Sequence, residues 1–576
     1  MKIKANDYIA QFLHAQGVKH VFEMAGGMIT QLLDAIYKMG ETQIVSVHHE
    51  QTASFAADAY GRCVKNVGVG LATSGPGATN LLTGIGSCYF DSSPALFITG
   101  QVNTHEQKGI KQIRQLGFQE TDIVSMARAI TKKCYQITSA DEIESILKEA
   151  YLTAISDRPG PVLIDIPMNL QRAELDVEPI KRMVRRKIPF QPNTEQFDSL
   201  LTALKQAKRP LILAGGGIQS ADVKEDFLRL VDILQVPIVT SLLGIDTIPF
   251  THPLRAGFIG SYGNRWANIA IGNCDLLIVL GSRLDIRQTG ADVESFSKNK
   301  KIFHVDCDTH EINNRLKNCV PMLMDLTDFI SHLLSMLNNQ KLSLKKDWLE
   351  EIIQLRKKWP DTAEITNVPG INPNAFMHSL ARKSATAAGY AVDVGNHQMW
   401  AAQSLEVAEN QFFITSGGMG AMGFALPAAI GASLAYNKKP VVVIAGDGSF
   451  QLNIQELQTV VRNKIPLKMI VINNQSLGMI RQFQDNYFDG RYQSTYWGYS
   501  APNFAAVAMA YGISAKTINQ SHEMEEAISW LWENDDKPCL LQVMVDMHAN
   551  AYPKIAFGKP ITEMEPFTSP TAMEGT

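Results

Sequence analysis

One short string constrains the fold around it: Gly446-Asp447-Gly448-Ser449, with Asn473-Asn474 further along the chain. Residues 441–444 (VVVI) read as a buried parallel strand ending at Gly446. Residues 450–461 read as a helix with Phe450, Ile454, Leu457 and Val461 on one face, and 467–472 as a second buried strand ending at Asn473. A strand–helix–strand unit of this kind brings Asp447 and Asn474 to the carboxyl ends of two parallel strands, where α/β sheets bind ligands. Gly446 and Gly448 let the backbone approach a phosphate closely, and the following helix turns free N–H groups and its positive end towards it. Asp447 supplies an anionic oxygen and Asn474 an amide oxygen. With a carbonyl near Ser476, phosphate oxygens and water, they complete an octahedral Mg²⁺ shell. Either half alone reads as a surface turn; the pair in this setting does not.

A chain of 576 residues exceeds one core and calls for several domains. Strand-like apolar runs alternate with helical patterns throughout, the mark of parallel α/β sheets. The expected divisions are an N-terminal α/β domain over 1–173, a linker over 174–193, a central α/β domain over 194–337, a charged helix and connector over 338–370, a C-terminal α/β domain over 371–546 and an irregular Pro-containing tail over 547–576. The N-terminal residues read as a first amphipathic helix with no apolar signal core. A net charge of −4 gives no reason to expect a nucleic-acid partner, and no run is long and apolar enough for a membrane span. Seven scattered cysteines without a C-x-x-C pair fit reduced thiols in a cytoplasm.

The span from Asp447 to Asn474 resembles the thiamine diphosphate (ThDP) signature, and GDGSFQLNIQEL with NNQSLGM is similar to acetolactate synthases in particular. The resemblance covers nearly the whole chain. It implies three doubly wound parallel-sheet domains: a pyrimidine-binding domain, a central FAD-binding domain and a diphosphate-binding domain. The string HHEQTASFAADAYGR resembles the family's cofactor-activating motif, so Glu50 would hydrogen-bond N1′ of the pyrimidine and perform acid/base work there. Gly26-Gly27, the loop from Thr73 to Asn80, and Phe118-Gln119 resemble elements of the substrate channel, with Gln119 and the backbone at Gly27 reaching the reacting oxygen. Gly395-Asn396-His397 resembles the diphosphate clamp, with Asn396 where the family usually has Gln. Gly418-Met419-Gly420-Ala421-Met422-Gly423 matches a dinucleotide fingerprint formally, but no acidic residue follows at the expected strand end. By resemblance, Met422 wedges under ThDP and the Gly420 carbonyl accepts from its amino group. Gly215-Gly216-Gly217, Arg283 and Arg287 resemble the FAD segments, the arginines suiting a diphosphate.

The acceptor side departs from the family. Met168 stands where a Lys is usual, Ile286 where an Asp is usual, Ile259 where a His is usual and Phe483 where a Trp is usual. With Met28, Phe118 and Met479 they make the expected acceptor-side set, the four replaced positions lining one apolar mouth. A desolvated carboxylate needs a cation, so the loss of Lys at Met168 favours an acceptor other than a 2-keto acid. The resulting expectation is a ThDP-, Mg²⁺- and FAD-dependent carboligase that decarboxylates pyruvate and adds the two-carbon unit to a ketone, the favoured one a keto-sugar nucleotide. Acetolactate synthase proper is the alternative, and a catalytically silent flavin-binding relative is the alternative of another class. The resemblance implies a homo-oligomer with active sites between subunits.

Overall fold

The computed structural model describes residues 2–338, 340–366 and 368–571. Three six-stranded sheets, parallel throughout, run in chain order. The first has the order Gln43–Ser46, His20–Met24, Gly68–Ala72, Ala95–Gln101, Pro161–Pro167, Lys133–Gln136. The second has the order Arg255–Phe258, Ile238–Thr240, Pro210–Ala214, Leu276–Leu280, Lys301–Asp306, Val320–Leu323. The third has the order Phe412–Thr415, Gly389–Val392, Val441–Gly446, Leu467–Asn473, Cys539–Met544, Ser514–Ile518. The central strands are continuous apolar runs buried along their length, as expected where helices cover both sheet faces.

Several local readings need correction. The N-terminus begins as a strand, Lys2–Lys4, and the helix starts only at Ala5. That strand pairs antiparallel with Glu174–Asp176, so the expected linker carries structure. The tail forms a small hairpin, Lys554–Ile555 against Met564–Glu565; its last residues, 572–576, lie outside the described residues. The single helix expected over 450–461 is three pieces: Asp447–Phe450, a 3₁₀ stretch Gln451–Glu456 and Leu457–Asn463. The edge strands Lys133–Gln136, Arg255–Phe258 and Val320–Leu323, each four residues long, lie outside the strands expected from the sequence.

The first and third sheets meet through the helices Glu50–Val64 and Ala425–Ala435, which share one core. Their backbones approach closely because Gly431 faces the Ala56 carbonyl; a Cβ at 431 would sit 2.1 Å from that oxygen. Among the described residues no helix is long and apolar enough to cross a membrane. The seven cysteines form no disulfide.

Candidate active site

Adjacent strands Val441–Gly446 and Leu467–Asn473 pair with Gly446 opposite Ile472, so both turns leave the same sheet edge side by side. A cavity of about 670 Å³ opens there, lined among others by Gly395, Asn396, His397, Gly420, Met422, Gly446, Asp447, Gly448, Ser449, Asn474, Ser476 and Met479. Residues expected to hold or orient the cofactor and its metal therefore converge from four separate stretches of sequence.

Three buried polar atoms on this cavity have no hydrogen-bond partner: Asn396 Oδ1, His397 Nε2 and Asp447 Oδ2. A buried polar group left unpaired is costly, and three together mark a place where a polar ligand supplies the partners. Burial raises the Asp447 carboxyl to about 6, although the Gly448 N–H and other donors pull it down. A divalent cation on Oδ2 would hold it ionised. Asn474 Oδ1 accepts only a long bond from the Ser476 N–H, 3.2 Å, which leaves a lone pair for a metal. Burial drives the His397 imidazole down to about 3, so it is neutral at any physiological pH. Its ring lies against two glycines: a Cβ at Gly446 would come 2.8 Å from Cε1 and Nδ1, and one at Gly395 2.7 Å from Cε1. The donor set, one carboxylate with neutral oxygens and nitrogens around an open glycine turn, fits a Mg²⁺–diphosphate group.

The pyrimidine-side residues gather on the first sheet's carboxyl edge instead. Glu50 opens its helix, is buried, and accepts from Asn80 Nδ2 at 2.9 Å. A Cβ at Gly77 would reach 3.2 Å from Glu50 Oε1, so the glycine leaves the carboxyl room. Gln119 sits at φ +65° against Gly75, Phe118 is 80% exposed and Gly27 faces open space. Met28 N–H donates to Thr73 Oγ1 at 3.3 Å, which joins two of the predicted channel elements. Met168 starts a short helix at the end of Pro161–Pro167. None of Glu50, Gly27, Met28, Phe118, Gln119 and Met168 lines the C-terminal cavity of the same chain.

A second cleft runs along the central domain, lined by Gly216, Gly217, Gly281, Arg283, Arg287, Asp306 and the loop Gly417–Gly418. Its glycines and arginines fit a dinucleotide diphosphate. Gly215 does not line it. It packs under the turn instead, where a Cβ would sit 2.1 Å from the Gly281 carbonyl. Arg287 borders both this cleft and the C-terminal cavity and is exposed.

The single apolar mouth expected at the acceptor side is not formed within one chain. Ile286 lines the C-terminal cavity, whereas Ile259 lines the central cleft and Phe483 packs on Tyr487 and Phe488. Each lies where its own element's packing carries it: Ile259 follows the edge strand Arg255–Phe258 into the central domain's core. Sequence reasoning missed Lys554, which the tail hairpin brings to the cavity, and Glu456, which accepts the His48 N–H at 3.0 Å beside Glu50. Neither belongs to a motif; a lone Lys in a Pro-rich tail and a Glu in an amphipathic helix carry no signal by themselves.

Comparison with known proteins gives a match along the chain. Residues 3–126, 197–333 and 393–543 match the models described as thiamine pyrophosphate enzyme N-terminal TPP binding domain, central domain and C-terminal TPP binding domain. The acetolactate synthase isozyme 2 large subunit of Escherichia coli is 36% identical over 561 residues, 97% of this chain and 98% of that protein. The acetolactate synthase large subunit of Lactococcus lactis is 37% identical over 558 residues, 96% of this chain and 95% of that protein. A probable acetolactate synthase large subunit of Methanocaldococcus jannaschii is 35% identical over 573 residues, 98% of this chain and 95% of that protein.

Proposed function

The chain belongs to the thiamine pyrophosphate enzymes and, within them, to the acetolactate synthase large-subunit family, and we propose on that footing that it decarboxylates pyruvate and joins the remaining two-carbon unit to a second 2-keto acid. It is a carboligase working with ThDP, Mg²⁺ and FAD. Bound ThDP supplies a nucleophilic carbon for the ketone and a ring that holds the electron pair left by departing CO₂. Asp447 and Asn474, with the backbone near Ser476, would hold the metal. His397, Asn396 and the turn at Gly448-Ser449 would hold the diphosphate. Met422 and the Gly420 carbonyl would orient the cofactor, and Glu50 would hold and move the proton at N1′. Gln119 and the Gly27 backbone would steady the reacting oxygen. Arg283, with Gly216 and Gly217, would hold the flavin diphosphate.

Three unpartnered buried polar atoms on one cavity carry the cofactor assignment. For the acceptor, the cation at Arg287 weighs most. Expected by resemblance at the flavin diphosphate, it stands exposed where the two clefts meet and is assigned here to an incoming carboxylate instead, which offsets the missing Lys at Met168. Glu50 and the diphosphate cradle occupy separate edges of one chain, so a second copy would complete each site.

A second reading has its own support. Ile286, 51% exposed at the mouth, and half-buried Met168 present apolar surface where the family usually carries charge, which suits a keto-sugar whose nucleotide binds elsewhere. Labelled pyruvate, offered with 2-ketobutyrate and with a nucleotide keto-sugar in competition, separates the two by kcat/KM. Cofactor-dependent CO₂ release with acetolactate-type products dominant is the expected result. Dominant addition to the sugar would install the second reading, and no CO₂ release at all would sink both.

A further inference from the structure

We propose that Lys554 is a specificity-determining cation of the active site, engaging the carboxylate of the acceptor 2-keto acid. This assignment rests on the carboligase reading above. The tail hairpin pairs Lys554 directly with Glu565. Both residues are buried, 5% and 4% exposed, and the ammonium lies 3.4 Å from Glu565 Oε1. Lys554 lines the C-terminal cavity together with Ile286, Arg287 and Met479, while Glu565 does not; the Lys554 ammonium also lies over the Tyr487 ring, 5.7 Å from the centroid. Glu565 is fixed from behind: Asn486 Nδ2 donates to its Oε2 at 2.8 Å, and Arg265, clamped by Glu364 at 2.7 Å, donates to its backbone carbonyl at 3.0 Å. The Ile555 N–H donates to the Ser261 carbonyl at 2.8 Å and ties the hairpin to the central domain.

A buried ion pair is costly to desolvate, and well-packed apolar residues commonly serve stability as well. A pair of direct cross-strand neighbours that the tail hairpin sets at a cavity wall therefore calls for another role. An ammonium carries three donors and can serve Glu565 and a ligand at once. With Arg287 on the same cavity it offers a carboxylate two cations from different elements. In the reaction the C–C bond to the departing CO₂ breaks, and a new C–C bond forms to the acceptor carbonyl carbon, whose oxygen takes a proton. When no acceptor is held, the donor carbon that lost CO₂ takes a proton instead and leaves as acetaldehyde. The ratio of ligated product to acetaldehyde therefore reads acceptor binding apart from the donor half of the reaction.

The test uses full-length enzyme with ThDP, Mg²⁺ and FAD, ¹³C-pyruvate as donor and 2-ketobutyrate as acceptor. Lys554→Met should raise the KM for 2-ketobutyrate and the acetaldehyde share by about tenfold or more, the scale of one charged hydrogen bond. Lys554→Arg should recover most of that loss. Should Lys554→Met fail to fold with Glu565 uncompensated, the double variant Lys554→Met/Glu565→Leu removes both charges and reads the same ratio. An unchanged ratio and KM would overturn the assignment. So would an equal rise in the ThDP concentration needed for half-activation, which would make Lys554 a diphosphate contact. Absence of CO₂ release from the unmodified enzyme would instead overturn the carboligase reading itself.

Discussion

The Asn80 amide donates to one carboxylate oxygen of Glu50 at 2.9 Å. The glycine at 77 keeps space beside the other oxygen. Glu50→Gln preserves shape and removes the proton relay, so turnover should fall by roughly 10²–10⁴ while ThDP still binds. Near-normal CO₂ release from pyruvate in that variant would take Glu50 out of the mechanism. His378 offers a test of electrostatics away from the chemistry. Burial alone would lower its imidazole, but hydrogen bonds to Asp361 and Glu406, both 2.9 Å, outweigh that and raise it above the ordinary value. A raised folded-state pKa stabilises fully below the unfolded value of about 6.5 and ceases to do so as pH rises through the folded value. The Tm advantage of the wild type over His378→Gln should therefore be larger at mildly acidic pH than at alkaline pH; an advantage that grows with pH would contradict the assignment. Glu50, Asp447 and Asn474 were legible in the sequence because each sits inside a contiguous string with neighbours of fixed chemistry. Lys554 was not, because its meaning comes from Glu565 and from a cavity built by two other domains.

The decisive element is the strand–turn–helix unit at Val441–Gly446. Its strand and glycine turn were readable from an apolar run and two glycines, since a buried parallel strand imposes that composition. The helix after it was misread as continuous because its apolar spacing is helical throughout. Asn453 breaks it with φ −132°, ψ 28°. Its side chain donates to the Gly423 carbonyl at 2.8 Å and to Gln51 Oε1 at 3.0 Å, and accepts from Thr52 Oγ1 at 3.1 Å. Those contacts reach from the third sheet to the helix of Glu50, so tertiary bonding overrides local propensity at the point where the two functional turns approach. The turn itself is tested at Gly446. An added methyl there would press on the His397 ring at 2.8 Å, closer than Cβ atoms are found. Gly446→Ala should displace that ring from the cavity wall and raise the ThDP concentration for half-activation by about tenfold or more, with the melting temperature of the cofactor-free protein lowered far less. Unchanged activation by ThDP would mean that His397 does not hold the diphosphate.

At the scale of the whole molecule, the alternation of apolar runs and helical patterns was enough to read three parallel sheets, while short edge strands such as Lys133–Gln136, four residues long, escaped because so few residues carry too little pattern. The resemblance implied active sites between subunits, and Glu50 does not line the cavity that Asp447 lines. With Glu50 off the cavity that Asp447 lines, a chain that pairs with a second copy would hold two halves of two different sites. In a two-fold dimer each site would pair the Glu50 edge of one chain with the Asp447 cavity of its partner. Glu50→Gln and Asp447→Ala enzymes should each be nearly inactive alone, the second because it loses the one anionic metal ligand in the proposed shell. Mixing them after dissociation gives mixed dimers in which one site carries both lesions and the other carries neither. Random reassortment should then recover about a quarter of wild-type activity, since about half the dimers are mixed and each has one intact site. Recovery should need subunit exchange, vanish when both substitutions share one chain, and rise with the time allowed for dimers to reassort. No recovery under verified exchange would place Glu50 and Asp447 of one chain in one site, and the packing of the first sheet on the third would then have to open for catalysis.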